Sequence, residues 1–286
     1  MKVLILIFAV VSLFAHNATI QLNWKYQFEF AGFIMAKEKG YYKEKGINIT
    51  LKEVNKNTDV INTVLDTPKT YGVGDSSLIS DVMIKNMPLK LLMPIYEESP
   101  YVLVAVNMNI KSLDEIKNSN VILDQFAIKN PAIMSMLKSE NINIKNLNLK
   151  KENFYNNINQ KGIFAFYKSN EIYILKKNHI KYKVFDPKDY GFDLYGDLLF
   201  TSKTTAKKYP KLTKNIIEAT KKGYIYAFNH IDETINIILK KYNTQHFSKD
   251  KLLYEANVLK KYLSKTFKFN EKKLQKIENM YILLLF

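Results

Sequence analysis

Apolar residues recur along the chain with two alternating periods. Short runs with a period near two predict strands at Thr19–Trp24, Ile47–Val54, Thr70–Val73, Leu89–Ile95 and Tyr101–Val106. Between them, spacings of three and four predict helices at Phe30–Lys39, which Gly40 stops, at Asp59–Leu65 and at Ser76–Lys85. A second set follows. Its helices are expected near Leu113–Ile116 and at Pro131–Ser139, Glu152–Asn157 and Asn170–Lys177. Its strands are expected at Val121–Leu123, Asn146–Leu149, Gly162–Ala165 and Lys181–Phe185. One more strand, Leu198–Thr201, precedes a tail that reads as helix: Lys211–Asn229, Asp232–Tyr242, Lys249–Leu263 and Glu271–Leu284.

Strands alternating with helices predict parallel sheets covered by helices, an α/β class. Two such sets predict two lobes, residues 18–104 with 199–286 and residues 105–198, with the helical tail packing back on the first lobe. The chain then crosses between lobes near Ser99–Val106 and near Tyr195–Thr201. A cleft between two lobes is a natural place for a small ligand, and a hinge lets the lobes close on it.

Composition narrows the function. The chain has no cysteine, which removes disulfides, thiolate metal sites and a thiol nucleophile. The formal charge is +16, and all 43 basic residues are lysine. Nucleic-acid readers rely on arginine forks, and these lysines are scattered, so no nucleic-acid partner is expected. His16, His179, His230 and His246 show no metal spacing, and no nucleophile elbow, Walker loop or HExxH occurs. No catalytic residue, metal or cofactor is expected, and the protein is read as a monomer. Residues 1–15 read as a signal peptide: Lys2 is followed by the apolar stretch Val3–Phe14, too short to span a bilayer comfortably. The rest is therefore expected outside the cytoplasmic membrane, in the periplasm or beyond. The apolar ending Met280–Phe286 is read as the packed end of a helix.

Several ordered segments carry a family resemblance. Leu22–Phe33 and Ala36–Ile47 resemble the opening of one group of periplasmic substrate-binding proteins. That group holds the thiamine-pyrimidine-precursor binders and the sulfonate (SsuA-like) binders of ABC importers, together with the related thiamine-pyrimidine synthases. Tyr71–Ser77, Ser99–Tyr101, Tyr167–Glu171, Asp189–Asp197 and Lys222–Ala227 resemble its later signatures in the same order. The resemblance implies a type II periplasmic-binding-protein fold, two α/β lobes joined by two crossover strands. It implies capture of a small polar heteroaromatic solute, such as a thiamine-pyrimidine precursor, for an ABC permease. A sulfonate or taurine-type ligand, or presentation to a membrane sensor, stays open. The synthases carry a cysteine-rich motif, absent here, so a binding protein rather than an enzyme is expected. The pyrimidine binders often have a histidine where this chain has Phe30.

Candidate ligand residues follow. Trp24 ends the first strand, where open α/β sheets face their crevice; it offers a flat face and one N–H, or else packs under the next helix. Asn23 offers donor and acceptor, and Gln27 and Phe28 border the following turn. Asp75, Ser76 and Ser77 open a helix and either cap it or meet a ligand there. Asn170 and Glu171 begin a helix of the second lobe. Glu171 either takes an amine or serves as an ordinary first-turn acid. Tyr190, Asp193 and Tyr195 precede the return crossing and can close over a ring, and Tyr167 belongs to the resembling motif beside them. Glu97 and Tyr101 flank the first crossing.

Overall fold

A computed structural model describes residues 16–122, 130–149 and 154–285. The proposed signal peptide lies outside them. Ten strands form two five-stranded sheets among the described residues. The first holds β1 (His16–Gln21), β2 (Ile47–Lys52), β3 (Thr70–Gly74), β4 (Leu89–Pro94) and β10 (Leu198–Ser202) in the order β2-β1-β3-β10-β4. The second holds β5 (Tyr101–Val106), β6 (Asn120–Ile122), β7 (Asn148–Leu149), β8 (Gly162–Tyr167) and β9 (Tyr182–Phe185) in the order β7-β6-β8-β5-β9.

The two sheets share one plan. In each, the antiparallel strand next to the last position is the one that has just crossed from the other lobe. β10 runs antiparallel to β3 and β4, and β5 runs antiparallel to β8 and β9. The remaining named pairings are parallel: β1 with β2 and β3, and β6 with β7 and β8.

Burial explains which patterns were legible. The edge strand β2 alternates buried and exposed along its whole length. β5 is buried at every position. Its Leu103 and Ala105 enter one apolar cluster and its Val102, Val104 and Val106 another, on opposite faces of the second sheet. Local chemistry starts the helices. Asp59 accepts from the amide of Asn62, Asn130 from Ile133 ahead of Pro131, and Ser202 from Thr205.

The structure shifts three expectations. The first strand ends at Gln21, so Trp24 lies in the loop beyond it rather than on the strand. The crossing into the second sheet is complete by Tyr101, because β5 already pairs with β8 from that residue. The tail does not rest on the first lobe alone. Its last helix, Glu271–Leu285, packs on Ser77–Met83 of the first lobe and on Pro131–Ser139 of the second. Ile277 and Met280 share an apolar cluster with Leu78, Ala132 and Leu198, which draws this amphipathic face between both lobes.

Two helices of the first lobe, Ala31–Glu38 and Pro210–Asn229, meet through glycines. A methyl group at Gly223 would lie 2.1 Å from the carbonyl oxygen of Gly32, and one at Gly32 would lie 2.0 Å from the ring of Tyr224. Neither site has room for a side chain. Gly223→Ala is therefore expected to force the helices apart and to cost roughly 1–3 kcal/mol. Thermal unfolding should show a clear drop in Tm, and an unchanged Tm would refute the close approach.

Candidate functional site

The two lobes meet over a buried polar cluster. A single 3-10 turn, Phe28–Phe30, follows the first strand and its loop. Phe28 and Phe30 anchor it in the apolar core, which turns the intervening Glu29 into the protein, where it is also buried. Its backbone is held from three directions. The carbonyl accepts from the hydroxyls of Tyr96, at 2.7 Å, and Tyr224, at 3.0 Å. The amide donates to Glu255 Oε1 at 2.8 Å. The Glu29 carboxyl accepts from Gln27 Nε2 and faces Asp197. Asp197, on the return crossing just before β10, accepts from Asn23 Nδ2 at 3.2 Å.

Helix Lys249–Leu259 completes the cluster. Ser248 caps it, which aligns Lys251 and Glu255 one turn apart on one buried face. Lys251 Nζ lies 3.6 Å from Glu255 and donates to the carbonyl oxygen of Ser169 in the second lobe, at 3.0 Å. Tyr254 on the same helix donates to the carbonyl oxygen of Lys168. This helix thus ties the lobes beside the acids. From the second lobe, Tyr167 comes within electrostatic reach of Glu29, Asp75 and Asp197. Its ring lies 4.9 Å from that of Tyr101.

Burial disfavours charge on these acids. It pushes Asp197 up to about 6 and Glu255 up to about 7, and it holds Glu29 well above the usual carboxylate range, with Asp197 adding to the effect. Facing carboxyls in such a setting share a proton between them.

The structure brings Asn23, Gln27 and Tyr167 to this junction, with the ring of Tyr101 packed on that of Tyr167. Trp24 follows Asn23 and is 49% exposed, so it is not a core tryptophan. Asp75 is exposed and accepts from the amide of Ser77, which is itself exposed. Ser76 is buried with the hydroxyl of Tyr281 beside it. Asn170 donates to Glu171 Oε1 at 2.9 Å.

Other expected residues are spoken for within the protein. Phe28 is fully buried and meets the ring of Phe228 edge-on at 5.3 Å; it is core, because the turn that exposes Gln27 to the cluster points Phe28 inward. Tyr195 is also fully buried, its hydroxyl accepts from the amide of Asn270, and Phe269 packs on its ring. The segment leading into the last helix covers it, so it closes over no ligand. Glu171 accepts from Tyr155 and Asn170 on one oxygen and from the amide of Tyr167 on the other. Glu97 accepts from Ser264, and Asp193 from Lys273 at 2.7 Å. Tyr190 is half-buried against the apolar cluster of the second lobe. A shallow pocket lined by Tyr101, Asp186, Lys188 and Asp193 lies by the crossings and includes none of the buried acids.

Glu29, Asp197, Lys251 and Glu255 were missed as candidates. Glu29 had a signal: one acid inside the apolar run Phe28–Phe33. Lys251 and Glu255 had only an i, i+4 spacing, which ordinarily marks a solvated helix face.

The raised Asp197 carboxyl has a defined pH signature. It favours folding fully below its unfolded value, near 4, and that contribution is lost as pH rises through about 6. Wild-type protein should therefore lose stability relative to Asp197→Asn between about pH 4 and 6. Parallel Tm curves for the two proteins would contradict the burial of this acid.

Residues 27–234 match the NMT1/THI5 like family. No curated protein sequence matches the chain. Among solved structures, the periplasmic aliphatic sulphonate binding protein SsuA from Escherichia coli is similar with TM-score 0.73 and 12% identity, over 94% of this chain and 88% of that one. A Candida albicans protein exhibiting the generic periplasmic binding protein structural fold is similar with TM-score 0.55 and 17% identity, over 93% and 95%. The desulfurization enzyme DSZB is similar with TM-score 0.62 and 10% identity, over 94% and 91%. At these identities the likeness carries the fold, which is that of the periplasmic binding proteins. Matched over well more than half of its length, the chain belongs to the NMT1/THI5-like family.

Proposed function

We propose that the protein is an extracytoplasmic solute-binding protein that captures a small polar heteroaromatic solute and hands it to an ABC permease. The observation that carries this reading is the junction itself. Buried hydrogen-bonding groups from the first lobe face the tyrosines of the second, Tyr101 and Tyr167, across a contact that the helix Lys249–Leu259 bridges. Few, well-placed polar groups beside aromatic rings are the usual make-up of a small-molecule site. Trp24 adds an exposed flat face beside Asn23.

The lobes, 18–104 with 199–286 and 105–198, close about the two crossings, and the protein acts as a monomer. Among the described residues no helix is long and apolar enough to cross a membrane. Delivery to a membrane sensor rather than a permease would use the same capture step. The junction binds without chemistry of its own: the buried acids are paired with one another or with Lys251, and the chain has no cysteine. The E. coli neighbour is a sulphonate binder by name, which favours testing that class beside heteroaromatic rings.

A screen of pyrimidines, flavin-like rings, amines and sulfonates should find one class that raises Tm by roughly 5–10 °C at about 100 times its dissociation constant. No stabilising class, or conversion of the bound molecule into a product, would overturn the reading. The same ligand should change Trp24 fluorescence. Trp24→Ala should weaken it by about tenfold or more in isothermal calorimetry, in line with the loss of an aromatic stacking face; unchanged affinity would remove the indole from the site.

A further inference from the structure

The junction holds three buried carboxyls, Glu29, Asp197 and Glu255, against one buried ammonium, Lys251. Lys251 sits by Glu255 and spends a donor on Ser169. The groups around the Glu29–Asp197 pair are Gln27 and Asn23, the phenols of Tyr96, Tyr167 and Tyr224, and the carboxyls of Asp75 and Glu255, with Lys251 as the attracting charge. Acid exceeds base.

The unpartnered atoms sharpen this imbalance. Asn23 Oδ1 and Gln27 Oε1 are buried without a hydrogen-bond partner in the protein, while Asp197 Oδ2 and Glu255 Oε2 have nothing beyond the facing Glu29 carboxyl and the ammonium of Lys251 at 3.6 Å. All four are acceptors. The amide groups of Asn23 and Gln27 have turned their N–H donors to Asp197 and Glu29, which leaves their carbonyl oxygens unused. Gln27 is 7% exposed and Glu255 1%, so water does not readily satisfy these oxygens. A buried acceptor without a donor is costly, and two such amide oxygens beside the acids call for a guest rich in N–H groups. The described residues hold no set of three acids or histidines disposed around a metal ion, which points away from a bare cation.

We propose that this cluster is the subsite for an organic cation, an ammonium or amidinium group on the captured ring, which replaces the proton shared by Glu29 and Asp197. The inference rests on the solute-capture reading and adds the charge of the solute. On binding, the cation enters and one proton leaves to solvent, so the charge of the buried cluster is unchanged. An anionic sulfonate would meet the like charge of the acids, with the one ammonium, Lys251, already engaged by Glu255 and Ser169.

The test uses three probes built on one ring: benzamidine, which is a cation, neutral benzamide, and anionic benzenesulfonate. Each is titrated calorimetrically into the full chain. Benzamidine should bind best, with affinity rising about tenfold per pH unit from pH 4.5 to 6 as the shared proton becomes easier to displace. Asp197→Asn should weaken benzamidine roughly tenfold or more and flatten that pH dependence. Should this variant fail to fold, the probe ranking and the wild-type pH profile decide alone. Tighter binding of benzamide or benzenesulfonate, a benzamidine affinity that does not rise with pH, or no benzamidine binding would each overturn the inference. Solute capture would survive the first outcome, since a ring is still held. It would fall if the broader screen also found no stabilising class, or if a bound molecule were converted into a product.

Discussion

The peptide group at Glu29 is where the first lobe is knotted together. Its carbonyl takes two tyrosine hydroxyls, one from the first crossing and one from the long helix Pro210–Asn229, and its amide is held by a carboxylate of the helix Lys249–Leu259. Segments as far as 226 residues apart in the sequence are thus referenced to one point. That convergence requires the helices to approach until only glycine fits between them, at Gly32 and Gly223. It also requires Phe28 and Phe30 on either side of Glu29 to be swallowed by the core. Gln27, Glu29 and Glu255 are positioned from this turn.

The same arrangement sets the electrostatics. Placing Glu29 inside brings it against Asp197 from the return crossing, and burial makes ionising both unfavourable. Lys251 relieves part of the imbalance while reaching across to Ser169. A buried ion pair is weak evidence for stability, because desolvation offsets attraction. What this pair does fix is geometry: Lys251 holds helix Lys249–Leu259 to the backbone of Ser169 in the second lobe. The lysine-only basic complement belongs elsewhere: most of the observed ion pairs, such as Lys45–Glu218 and Lys222–Glu44, lie on exposed surface and contribute little.

Strands and helices were largely legible because their periods are local. β5 and the helix Pro131–Ser139 appear with the boundaries that the apolar pattern predicted. The candidate junction was legible only in part. Asn23, Gln27, Tyr101 and Tyr167 could be named because each sits at a strand end or in a turn, where side chains reach a junction. Tyr195 could not be judged, since its cover arrives from Phe269 and Asn270, far along the chain. Glu171 was open between two roles, and contacts with Tyr155 and Tyr167 decide for the protein's own use of it. The buried acids escaped notice for a related reason. An isolated glutamate in a turn ordinarily faces water, and only the packing of two flanking phenylalanines drives Glu29 the other way.

The last helix lies against Ser77–Met83 in one lobe and Pro131–Ser139 in the other, while Lys273 near its start grips Asp193 and the backbone of Glu97 beside the crossings. Because one face of this helix is shared, Ile277 and Met280 pack in a single apolar cluster with Leu78 of the first lobe and Ala132 of the second. Truncating either side chain therefore loosens both lobes at once rather than one of them.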